Sequence, residues 1–146
     1  MQHGLNRVLL VDDDKVTNLL HRRVFERSGL VGQIDVATDG LAALEYLQAL
    51  ETDAGPAPEL IVLDINMPRM NGFEFLESYA QMPESLRAGQ TIIVVSTSML
   101  NKDRARAEAD PNVHRFASKP LAGADVEAFV AHCLIVRAGL SRGLAS

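Results

Sequence analysis

Short continuous apolar runs recur along the chain, each followed by a longer stretch in which apolar positions return every three or four residues. The first run is NRVLLV at 6 to 11. The stretch after it, Lys15 to Ser28, carries Val16, Leu19, Leu20 and Val24 on one helical face. QIDVA (33 to 37) reads as a second strand and TDGLAALEYLQAL as a second helix, with Thr38 or Asp39 as N-cap and Leu44, Leu47 and Leu50 turned inward. After the loop ETDAGPAP comes ELIVL (59 to 63), then a helix at 72 to 82 with Phe73, Leu76 and Ala80 at helical spacing. PESLRAGQ reads as a polar connection before TIIVV at 91 to 95. A weakly apolar fourth helix at about Met99 to Ala109, a fifth strand VHRFA at 113 to 117 and a last helix at about Gly123 to Ala138 complete five strand–helix units.

Strands that are apolar throughout, alternating with helices, predict a parallel sheet covered on both faces with right-handed crossovers, a doubly wound α/β fold in three layers. Ligands in such folds sit outside the carboxyl ends of the strands, where the winding reverses. The residues just past each strand are therefore the ones to read. They are Asp12, Asp13 and Asp14 after the first, Asp64 after the third, Ser96, Thr97 and Ser98 after the fourth, and Ser118, Lys119 and Pro120 after the fifth. Crowded carboxylates repel unless a cation joins them, and hard oxygen donors of this kind suit Mg²⁺ together with a phosphate oxygen.

Composition narrows the partners. At 146 residues, 47% hydrophobic and 23% charged, the chain is large enough for one core and too short for two ordinary domains. A single domain over 1 to 146 is expected, its core at about 5 to 138 and a short tail at 139 to 146. The net charge of −5 argues against nucleic acid, whose phosphates call for a basic surface. The single Cys133 excludes an intramolecular disulfide, and no apolar run reaches 18 residues, so a cytoplasmic location with no membrane contact is expected.

Five segments in this order, VLLVDDD, ATDGLAALEYL, LIVLDINMPRMNGFEFL, IIVVSTS and FASKPL, resemble the response regulator receiver domain of two-component systems, of the stand-alone chemotaxis type. The resemblance covers about residues 5 to 137 and implies the flavodoxin-like strand order 2-1-3-4-5. It implies that Asp64 accepts a phosphoryl group from a phosphohistidine on a histidine kinase or phosphotransfer protein. Asp12, Asp13, Asp64 and the backbone carbonyl of Asn66 would hold Mg²⁺, Lys119 would pair with the phosphoryl oxygens, and Ser96 would move to hydrogen-bond them. Phe116 would change its burial with Ser96, switching a surface formed by the fourth helix, the fifth strand and the last helix. Asn66 and Ser98 would flank the water that removes the phosphoryl group, and the Lys119–Pro120 bond would be cis. Such a domain catalyses only its own phosphorylation and dephosphorylation, and its output would be contact with a downstream protein or the draining of phosphate from a branched relay.

The sequence departs from the common pattern in having Ser96 where threonine is commoner, Phe116 where tyrosine is common, and RMNG after the acceptor loop. Phe116 can move by packing but lacks a phenolic hydroxyl. An aspartyl-phosphate phosphatase would also place Asp64 at a strand end, but it would normally carry a second aspartate two residues on, where Asn66 stands. A nucleotide-binding module would want a Gly-rich loop in place of DDDKVTN.

Other residues carry plainer expectations. Asp14 reads as the N-cap of the first helix. His3, His21, His114 and His132 lack metal spacing and are read as surface or core residues away from the carboxyl rim. Met67 and Met70 are read as packing, and Cys133 as a small buried hydrophobe beside Val126, Phe129 and Val130. Apolar residues 133 to 136 exceed one buried stripe, so an exposed part of the last helix is a candidate surface for a partner or a homodimer.

Overall fold

The computed structural model describes residues 4–50, 57–67, 69–97 and 101–145. Five strands and six helices follow one another: β1 Leu5–Val11, α1 Lys15–Ser28, β2 Val31–Ala37, α2 Gly40–Ala49, β3 Leu60–Asp64, α3 Gly72–Tyr79, α4 Glu84–Arg87, β4 Thr91–Ser96, α5 Asn101–Ala109, β5 Val113–Ser118 and α6 Gly123–Ala145. The sheet is parallel throughout, in the order β2-β1-β3-β4-β5. The doubly wound α/β architecture and its strand order are thus as expected.

The sheet holds together because β3 and β4 are buried at every position, with no face left polar. Alternate side chains feed two cores. On one face Leu9, Val11, Ile61, Leu63, Ile92 and Val94 meet residues of α2 and α3, with Ala107 and Phe116. On the other, Val8, Leu10, Leu60, Val62, Ile93 and Val95 meet Phe25 of α1 and Val126, Phe129, Val130 and Cys133 of α6. Each such side chain contributes roughly 1.5–3 kcal/mol by leaving water. The β4–β5 ladder is regular from Arg115 to Ser118, but Ile92 pairs with Val113 and Ile93 with Arg115, leaving His114 as an extra residue. This bulge turns His114 toward α6, where its ring stacks on His132 at 3.3 Å between centroids.

At the amino end of the sheet, Arg137 of α6 donates to Glu59 Oε2 at 2.8 Å and to the carbonyl of Gly4 at 3.1 Å. Glu59 Oε1 accepts from the backbone of Asn6. The helix is thereby stapled to the starts of β1 and β3.

Four expectations are corrected. The connection PESLRAGQ contains the short helix α4, started by Pro83. The last helix continues past Ala138 to Ala145, because 139–145 contains no proline, and its two glycines cost only about 1 kcal/mol each. On α3 the inward residues are Phe73, Phe75, Leu76 and Tyr79, while Ala80 is exposed just past the helix end. The face of α1 is the largest change. Val16, Leu19 and Leu20 are 64, 50 and 46% exposed, and the helix buries Asn18, His21 and Phe25 instead. The polar pair can go inside because each finds a partner there: Asn18 Nδ2 donates to the carbonyl of Asp12 at 2.9 Å, and His21 Nε2 accepts from the backbone of Leu121 at 3.2 Å.

Candidate functional site

The strands deliver their terminal side chains to one rim. Asp12 follows β1, Asp64 ends β3, Ser96 ends β4, and Lys119 follows β5, with the backbone N–H of Lys119 bonded to the carbonyl of Ser96 at 3.0 Å. Asp12 and Asp64 are each 3% exposed and Ser96 is fully buried. Lys119 Nζ reaches across the rim, 2.8 Å from Asp12 Oδ2 and 3.3 Å from Asp64 Oδ1. The Lys119–Pro120 bond is cis. Asp13 is exposed at the mouth, and oxygens of Asp12, Asp13 and Asp64 lie within 4.8 Å of one another.

Charge is unbalanced here, with one ammonium facing three carboxylates. Burial, reinforced by the negative charge of Asp12, holds the Asp64 carboxyl above its ordinary range even though Lys119 pulls the other way. Burial also works against the charge of Lys119, but its hydrogen bond to Asp12 and the charge of Asp64 outweigh that and raise its pKa. A second cation of hard character fits the cluster, since all three donors are carboxylate oxygens. Asp12, Asp13 and Asp64 are the groups brought close enough together to hold one.

Local capping fixes the rim. Asp14 caps α1, accepting from Thr17 N at 2.9 Å, while Asp12 Oδ1 accepts from Asp14 N at 2.9 Å. Asp39, not Thr38, caps α2. Asn71 and Glu74 form a reciprocal capping box at α3.

The loop between β3 and α3 closes on itself, with the N–H of Gly72 bonded to the carbonyl of Ile65 at 3.2 Å. A Cβ on Gly72 would lie 2.7 Å from the carbonyl oxygen of Asp64, so only glycine permits this closure. Within the loop Arg69 has φ 61°, the one non-glycine residue with positive φ among those described, a conformation costing on the order of 1 kcal/mol. Its Nε donates to Asp39 Oδ2 at 2.5 Å.

Of the remaining expected site residues, Asn66 is exposed beside Asp64, its N–H 3.3 Å from Asp64 Oδ1, and Phe116 is 7% exposed in the core behind the rim. Ser98 lies outside the described residues, as does His3. Met67 and Met70 pack against the core as expected. His21 was expected away from the rim, yet it buttresses the loop two residues past Lys119. Burial lowers its pKa, with the charge of Asp12 opposing and that of Lys119 assisting, so it is held as the neutral acceptor that Leu121 needs. Sequence reading missed Asn18, His21 and the Asp39–Arg69 pair. The spacing Asn18, His21, Phe25 was a helical stripe in plain view, hidden by its polar members.

The family of the response regulator receiver domain matches residues 8–131, and the chain belongs to that family. It is 36% identical over 120 residues to the probable methanogenesis regulatory protein FilR2 of Methanothrix harundinacea, covering 82% of this chain and 76% of that protein. It is 34% identical over 113 residues to the response regulator Rcp1 of Synechocystis, covering 77% and 75%. Among solved structures, a two-component response regulator from Cytophaga hutchinsonii superposes with TM-score 0.83 at 30% identity, covering 90% of this chain and 98% of that one. The Mn²⁺-bound form of Rcp1 superposes with TM-score 0.68 at 28% identity, covering 91% and 90%. Relatives also include protein-glutamate methylesterases of Xanthomonas, 30% identical over 114 residues, but these span only 29% of the methylesterase. No described helix is long and apolar enough to cross a membrane.

Proposed function

We propose that this receiver domain is the phosphoacceptor of a two-component phosphorelay and that Asp64 takes the phosphoryl group from a phosphohistidine. The observation that carries this is a buried aspartate at the end of the central strand, bracketed by Asp12 and Lys119, with room for a cation among three carboxylates. A carboxylate oxygen of Asp64 attacks phosphorus, the P–N bond to the donor imidazole breaks, and an acyl phosphate forms with no general base needed. Lys119 follows the charge onto the phosphoryl oxygens, and Ser96 supplies a hydroxyl donor to them. Mg²⁺, when bound, would neutralise charge on the same oxygens, with Asp12, Asp13, Asp64 and the Asn66 carbonyl as ligands. Asn66 and Ser98 would set access of the hydrolytic water.

Partner docking follows from the surface beside the site. Val16, Leu19 and Leu20 of α1 form an exposed apolar patch next to Asp13 and Asp14, a surface suited to a helical phosphohistidine protein. Output would run through Ser96 and Phe116 to the surface of α5, β5 and α6, since the phosphoryl group adds charge that draws Ser96 and Lys119 inward. Ile135, 69% exposed on α6, marks that helix as a surface for a downstream protein or a second copy.

The test is intact-protein mass spectrometry after incubation with acetyl phosphate. One added phosphoryl group is expected, dependent on Mg²⁺ and absent from Asp64→Asn. Undiminished labelling of Asp64→Asn would remove the assignment.

A further inference from the structure

The loop carrying the Asn66 carbonyl is held at two places that no phosphoryl chemistry requires. One is its closure through Gly72 and Ile65. The other is a contact with the start of α2, where Arg69 meets Asp39 and the carbonyl of Met70 accepts from Gly40 N at 3.1 Å. A Cβ on Gly40 would come within 2.8 Å of both Met70 Cγ and the Met70 carbonyl oxygen, so loop and helix are in direct backbone contact.

Asp39 is occupied on both oxygens. Oδ1 accepts from Ala42 N at 2.8 Å as the helix cap, and Oδ2 takes Arg69. It is 5% exposed as a side chain, whereas Arg69 is 61% exposed, so the buried partner is the fixed one. Arg69 holds a left-handed backbone that an asparagine or glycine would adopt more easily. An arginine kept there at that cost, with its guanidinium on a buried carboxylate, is a clamp between α2 and the loop.

We propose that the Asp39–Arg69 pair is a positioning device for the divalent-cation site: it fixes the loop so that the Asn66 carbonyl stands in register with Asp12, Asp13 and Asp64, and thereby sets cation affinity. The inference rests on the metal reading given above. Neither residue belongs to the carboxylate cluster itself: Asp39 caps α2, and Arg69 stands in the same loop between β3 and α3 as Asn66. Support of this kind around metal ligands is commonly worth 10- to 100-fold in affinity.

The test uses the full chain and Mn²⁺ alone, with free Mn²⁺ read by electron paramagnetic resonance; the chain has no tryptophan to report binding. Asp39→Asn keeps the helix cap and removes the ion pair. Arg69→Gly removes the ion pair and relieves the backbone. Each is expected to weaken Mn²⁺ about tenfold, the double variant no more than either single one, and Arg69→Lys less than Arg69→Gly. Urea melting separates this from general damage, because Arg69→Gly should not lose metal-free stability in proportion to its lost affinity. Affinities within about twofold of the parent, or losses that multiply in the double variant, would overturn the clamp. Asp13→Asn is the control for the underlying site. If it abolishes Mn²⁺ binding while the clamp variants bind normally, the clamp alone falls; if it binds like the parent, the metal site falls and the clamp with it.

Discussion

Both ends of the sheet are tied across by charged side chains, and the ties differ in balance. At the amino end one guanidinium, Arg137, meets one carboxylate, Glu59, and backbone groups of Gly4 and Asn6 take up remaining hydrogen-bonding capacity. At the carboxyl end one ammonium, Lys119, serves Asp12 and Asp64 with Asp13 alongside. The first arrangement is complete and asks for nothing. The second has spare negative charge beside two buried carboxylates, which is costly unless something binds, and this agrees with the function proposed for that end.

Lys119→Ala strands two buried carboxylates and should cost about 3 kcal/mol of metal-free stability at pH 7, whereas Arg137→Ala at the half-exposed staple should cost about 1 kcal/mol. Urea denaturation of the two variants side by side measures this, and equal losses would break the contrast. Mg²⁺ at ten times its dissociation constant should add about 1.4 kcal/mol to the parent and to Arg137→Ala, and nothing to Asp13→Asn; a thermal-shift titration reads this.

Asp64→Asn should raise metal-free stability by roughly 1 kcal/mol at neutral pH. Asp64 has a raised folded-state pKa, so its ionised form is penalised at neutral pH, and the penalty is relieved as pH falls through that value toward the ordinary 3.8. The asparagine variant should lack this segment of the pH–stability curve.

The smallest effect belongs to His21. Its folded pKa is depressed, so its contribution is full above the ordinary 6.5 and is lost as pH falls below it. The slope there should be shallow, and flatter still in His21→Gln; stability measured from pH 7.5 to 5 checks it.

Much of this was legible in the chain itself. Strands β3 and β4 are buried at every position because helices cover both their faces, so the apolar run ending in Asp64 announced both the parallel sheet and the acid at its rim. What was not legible came from polar groups that find partners only after folding. Hydrophobic periodicity put Val16, Leu19 and Leu20 inside, but the carbonyl of Asp12, six residues back across the strand–helix turn, and the N–H of Leu121, a hundred residues on, reward Asn18 and His21 for taking their place. Arg69 was unreadable for the same reason, since its partner Asp39 lies 30 positions away and has a local role as a cap that explains it completely.

The bulge in β5 gives the strand a fulcrum. From Arg115 to Ser118 the ladder with β4 is unbroken, so this segment, with Phe116 inside it and Lys119 just beyond, is built to act as one stiff arm in the proposed switch. Under the proposed switching, a displacement imposed at the rim would pass down that segment toward His114, where the pairing already has a spare residue and the ring stacks on His132. Motion begun at Asp64 would then surface as a tilt of the outermost strand against α6, about 10 Å away along an arm of three residue steps at roughly 3.3 Å each.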